Sequence, residues 1–164
     1  MIRNLFILHK GGTPLVSSYF GERHSIGSGS EQDSSLISGF ISAMYSFAQM
    51  MASDSVEEIQ LGRLSFILGS HGNLIFALSA DDDDADMHRK KLEEIIKLFT
   101  DRYGSILPES EGDIDVTHFE AFTQFLLDSG VLMRNCGKYD NREECENREK
   151  FLSLAEVTSQ LSRD

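Results

Sequence analysis

The chain is 164 residues long, 40% hydrophobic and 26% charged, with a formal net charge of −12 and a pI near 4.7. That is enough chain for one domain, which at this size buries roughly 70% of the surface its unfolded form exposes. So acidic a balance repels phosphate backbones and anionic lipid surfaces, which excludes nucleic acid and unassisted membrane docking from the expected partners.

Other routes to a membrane are also excluded. No apolar run reaches the roughly 18–20 residues that a spanning helix needs, and residue 2 is Ile where myristoylation needs Gly. The N-terminal apolar run is too short for a secretory leader, so a cytoplasmic protein is expected. Cys136 and Cys145 stand in a Cys-x8-Cys spacing that matches no zinc module and reads as two free thiols.

Ile2 to His9 and Pro14 to Phe20 are apolar runs around Lys10-Gly11-Gly12-Thr13, which predicts a β-hairpin. Pro14 suits the head of a strand, where a ladder donor is dispensable. Residues 21–33 form a Gly/Ser-rich polar loop. The stretch Ser34 to Met51 then predicts a helix, with Asp33 or Ser34 as its cap. Ile37, Phe40, Ile41, Met44, Phe47, Ala48 and Met51 recur at three- and four-residue steps and are expected to face a sheet. Opposite them lie Ser35, Gly39, Ser42 and Ser46, with Ser38 and Gln49 alongside. That outer surface is small and uncharged, where a solvated helix usually carries Lys and Glu.

Ser55 to Leu61 predicts a strand whose glutamates suit a sheet edge. Arg63 to Ser70 and Asn73 to Ala80 predict a second hairpin turning at His71-Gly72. Both faces of these two strands are partly apolar, as expected for a sheet covered on both sides. Asp81 to Asp84, with Asp86, open a helix over Ala85 to Tyr103, where aspartate complements the helix dipole. Its buried stripe is expected to be Met87, Leu92, Ile95, Ile96, Phe99 and Tyr103. A third helix begins at Asp113 or Asp115 and buries Val116, Phe119, Phe122, Phe125 and Leu126. Residues 1–133 thus make the domain. Residues 134–164 are a charged tail with a helical stripe of Phe151, Leu154, Ala155, Val157 and Leu161.

No cluster carries recognisable chemistry. The five histidines, His9, His24, His71, His88 and His118, lack metal-ligand spacing and read as scattered surface residues. The aspartate run lacks the spaced ligands of a calcium loop. Gly27-Ser28-Gly29-Ser30 lacks the third glycine and the βαβ context of a phosphate loop, and no Gly-x-Ser-x-Gly elbow surrounds the serines. No cofactor, no metal and no catalytic activity are expected.

The inferred order is β-β-α-β-β-β-α-α. It implies an α+β fold with a five-stranded, mostly antiparallel sheet between one helix and two. Together with Leu5–Leu15, Leu36–Ala43 and Gly72–Leu78, this order resembles the longin-domain family over residues 1–130, in particular its stand-alone archaeal forms; roadblock and profilin-like domains share related layering. The resemblance implies a non-enzymatic platform that dimerises, or binds a small GTPase or a trafficking complex, through its first helix and adjacent edge strand. On this chain those positions are Ser35, Ser38, Gly39, Ser42, Ser46 and Gln49, with Val56, Glu58 and Gln60 on the strand. No SNARE heptads or membrane anchor follow the domain, so a fusogenic role is not expected. The alternative is a small-ligand sensory domain, with Met44, Met50 and Met51 lining an adaptable cavity.

Overall fold

The computed structural model describes residues 2–20, 31–52, 55–62, 64–81, 84–107 and 114–133. Strands β1 (Ile2–His9) and β2 (Pro14–Tyr19) are followed by helix α1 (Glu31–Ala52). Strands β3 (Glu58–Leu61), β4 (Leu64–His71) and β5 (Leu74–Asp81) come next, then helix α2 (Ala85–Tyr103), a 3-10 turn at Val116–Phe119 and helix α3 (Ala121–Asp128). The five strands form one antiparallel sheet in the order β2-β1-β5-β4-β3. The expected α+β architecture is the observed one.

Both faces of the sheet are covered, which explains why β1 and β5 are apolar at consecutive positions rather than at alternate ones. Leu5, Phe6, Ile7 and Leu8 have no exposed surface, nor do Ile75, Phe76, Ala77 and Leu78. Leu5, Ile7, Phe76 and Leu78 face α2 and α3. There they join Phe99, Tyr103, Phe119 and Phe122 in an aromatic cluster whose ring centroids lie 5.0–5.8 Å apart. Phe6, Leu8, Phe66 and Leu68 face α1 instead, against Ile41 and Tyr45.

Local chemistry sets the boundaries. The β1–β2 turn needs Gly12 at φ 104°, and the β4–β5 turn needs Gly72 at φ 57°, conformations that side chains with a Cβ rarely adopt. Asp84 caps α2 by accepting a hydrogen bond from the Met87 amide at 3.0 Å. Asp81 is instead the last residue of β5 and pairs with Arg3 across the sheet end. Arg89 pairs with Asp86 as the helical spacing allows, and also with Glu58 on β3 at 2.9 Å.

Several boundaries differ from expectation. Helix α1 begins at Glu31, so Asp33 and Ser34 lie in its first turn rather than capping it; the Ser34 hydroxyl meets that of Tyr19 at 3.0 Å. Strand β3 starts at Glu58, three residues later than Ser55. The third helix is broken: Asp115 caps the 3-10 turn, and α3 follows only from Ala121. Val116 is exposed rather than buried. On α2, His88 joins the buried stripe while Met87 and Ile96 are half-buried. Most of the Gly/Ser loop (21–30), both cysteines and the tail from residue 134 lie outside the described residues.

Candidate protein interface

Helix α1 carries apolar residues nearly all round, so pattern alone leaves open which side meets the sheet. The structure answers with Ser34, Ser38, Ile41, Ser42 and Tyr45, all buried, and with Ile37, Met44 and Ala48 half-buried beside them. Three of the hydroxyls are satisfied across the seam. Tyr45 Oη donates to Ser70 Oγ at 2.9 Å, Ser42 Oγ donates to the Lys10 carbonyl at 2.5 Å, and Ser34 meets Tyr19. Ser38 Oγ is buried with no hydrogen-bond partner among the described residues.

The expected orientation of α1 is therefore corrected by roughly a quarter of a turn, with Ile37, Ile41, Met44 and Ala48 still on the sheet side. Ser38 and Ser42 point at the sheet, where their small side chains allow a tight helix–sheet contact and the Ser42 hydroxyl is cheaply buried because it reaches the Lys10 carbonyl. Phe40, Phe47 and Met51, expected inside, point outward. The outward row is Leu36 at 75% exposure, Phe40 at 38%, Phe47 at 55%, Met50 at 79% and Met51 at 72%. Phe40 keeps a ring contact with the sheet, 6.3 Å from Phe66. The layering survives this rotation, since either choice of face brings enough methyl groups to the sheet.

The remaining expected interface positions divide. Ser35, Gly39, Ser46 and Gln49 are exposed, and a Cβ on Gly39 would meet nothing within 4 Å. Val56 packs against the α1-side cluster. Glu58 is half-buried in its ion pair with Arg89, so its carboxylate is directed to α2 rather than held out at the edge. Gln60 is exposed, with its amide 3.5 Å from the Gly62 carbonyl. Strand β3 is the outermost strand on its side, and Leu61 at its end is also exposed. The missed residues are Leu36 and Met50. Their spacing with Phe40, Ala43 and Phe47, alternating steps of four and three, was the available signal.

Other expectations meet the structure here too. Met50 and Met51 stand in solvent, so they line no cavity for a small ligand. His9 and His88 are buried rather than at the surface, and His9 Nδ1 accepts from the Gly11 amide at 3.2 Å. Among the described residues no group of three or more His, Cys, Asp or Glu side chains could hold a metal ion, and no helix is long and apolar enough to cross a membrane. The Asp115 carboxyl lies below its ordinary value because the Thr117 hydroxyl, and then the Thr117 amide, donate to it.

The chain is similar in fold to several solved structures. A Roadblock/LC7 domain from Streptomyces avermitilis superposes with a TM-score of 0.49 at 12% identity, covering 63% of this chain and 86% of that one. Myxococcus xanthus MglB gives 0.46 at 15% identity, covering 67% and 83%. A structure described as MglB with tetrameric arrangement gives 0.41 at 14%, covering 62% and 79%. No family model and no curated protein matches the sequence.

Proposed function

We propose that this chain is a non-enzymatic protein-interaction module of the longin and roadblock kind, docking a partner on the outer face of α1 and the neighbouring β3 edge. The partner class is a small GTPase, a trafficking-type complex or a second longin-like domain, a second copy of this chain included, and the setting is cytoplasmic. One observation carries the reading. The five outward apolar side chains of α1 leave on the order of 600 Å² of apolar surface bare, at the upper end of the roughly 300–600 Å² found on typical monomers. From Ser34 to Ala52 the helix carries no charge, so no ionised group has to be desolvated when a partner covers it.

The test is association measured by sedimentation velocity, together with capture of small GTPases loaded with GTP or GDP. Wild type is expected to self-associate or to retain a GTPase, and Phe47→Glu to abolish that association while leaving the circular dichroism spectrum unchanged. A monomer that retains no GTPase, indistinguishable from the Phe47→Glu variant, overturns the reading.

A further inference from the structure

We propose that Met50 and Met51 form a reversible oxidation site, where a hydroperoxide converts two exposed thioethers to sulfoxides and so releases the protein docked on the outer face of α1; the release rests on that face being a docking surface. Met50 and Met51 hold 79% and 72% of their surface in solvent, whereas Met44, Met87 and Met133 are half-buried. Peroxide therefore meets the first two sulfurs ahead of the other three, since exposure governs such oxidation. The chain has no Trp, so methionine and cysteine sulfurs are its main two-electron targets.

In the reaction a thioether lone pair attacks one peroxide oxygen. The S–O bond forms as the O–O bond breaks, and the proton on the attacked oxygen passes to the leaving one. Sulfur is thus oxidised by two electrons, and the peroxide is reduced to water or an alcohol. The product replaces a flexible apolar side chain with a polar one. Position decides what that does. Met50 and Met51 stand three and four residues after Phe47, so all three share one patch of the helix surface. They also lie in the last turn, just before the helix ends at Ala52, so the change falls on the surface and not on the packed turns. That turn holds no basic residue, and its free backbone groups are carbonyls, which accept rather than donate. A sulfoxide oxygen there takes most of its hydrogen bonds from water, and a partner covering Phe47 must strip that water away. The coupling runs both ways: a docked partner shields both sulfurs, and oxidised sulfurs weaken the docking.

The experiment treats the full chain with hydrogen peroxide after Cys136 and Cys145 have been blocked with N-ethylmaleimide. Mass spectrometry locates the added oxygen, circular dichroism follows the fold, and sedimentation velocity with GTPase capture follows association. The expected result is sulfoxide at Met50 and Met51 several-fold faster than at Met44, Met87 and Met133, with the circular dichroism spectrum unchanged. Association is expected to weaken by about tenfold or more, and methionine sulfoxide reductases should restore it. A Met50→Leu/Met51→Leu variant keeps the apolar volume, so it should associate like wild type and go on doing so after peroxide. The inference is overturned by oxygen reaching the half-buried methionines as fast, by oxidised protein that associates fully, or by a leucine variant that loses association equally. A chain that never associates, before peroxide or after it, overturns the docking reading and the release together. The order of oxidation tells that outcome apart from failure of the site itself.

Discussion

Gly69 on β4 and Ile96 on α2 are packed so closely that a Cβ on the glycine would sit 2.8 Å from Ile96 Cδ1, with Leu92 Cδ2 at 3.4 Å. Helix α2 comes down onto the sheet at this point because β4 presents only hydrogen there. Gly69→Val is expected to cost about 1–3 kcal/mol by overpacking. Gly69→Ala is expected to cost less, because a terminal methyl can yield and alanine restricts the unfolded chain. Shortening Ile96 to Val removes the clashing methyl, so Gly69→Ala should cost less in an Ile96→Val background than alone. Urea unfolding of the four proteins forms the cycle, and additive costs would contradict this packing.

Ile41 and Phe47 lie on opposite sides of α1 and should respond oppositely to substitution. Ile41→Ala empties a fully buried position and is expected to cost about 2–5 kcal/mol. Phe47→Glu should change monomer stability by about 0.5 kcal/mol or less, as exposed substitutions do. Denaturant midpoints read the first, and sedimentation reads the loss of association in the second.

Ser38 and Ser42, four residues apart on the same buried stripe, make a sharper pair. Ser42→Ala removes the bond to the Lys10 carbonyl and is expected to destabilise by about 1 kcal/mol. Ser38→Ala removes a buried hydroxyl that has no partner among the described residues and installs a better helix former, so it should leave stability unchanged or raise it by about 0.5 kcal/mol. Thermal unfolding distinguishes these signs, and an equal loss in both variants would show that Ser38 is satisfied in solution.

Asp115 has a folded-state pKa below its unfolded value, owing first to the Thr117 hydroxyl and then to the Thr117 amide. A depressed carboxyl stabilises the folded state above its ordinary pKa, and that contribution is lost as pH falls below 3.8 toward the lowered value. Thr117→Val should raise the Asp115 pKa toward 3.8, read by a carboxyl chemical-shift titration. The amide bond remains, so a partial rise is expected.

Much of the fold was legible because its strongest signals are local. Gly11-Gly12 and Gly72 announce their hairpins, and the apolar faces of Leu64 to Ala80 announce a sheet covered on both sides. Val116 and Phe119 fit a continuous helical period, whereas the Asp115 cap closes a tighter 3-10 turn before α3 begins. The orientation of α1 departs from its sequence pattern for a different reason. Recurrence at three- and four-residue steps favours Phe40, Phe47 and Met51 for the inside. The hydroxyls of Ser34, Ser42 and Tyr45 find partners only once the helix is rotated toward the Ser38–Ser42 side, and those partners are distant in sequence.

Strand β3 offers only Glu58–Leu61 to the solvent before Gly62 turns the chain away at φ 65°, and β2 at the other margin opens on Pro14. Four residues can grip one visiting strand, yet they make a poor template for the unbroken stacking from which fibres grow. A molecule that keeps a greasy helix bare is thereby restrained from runaway aggregation by the shortness of its own border.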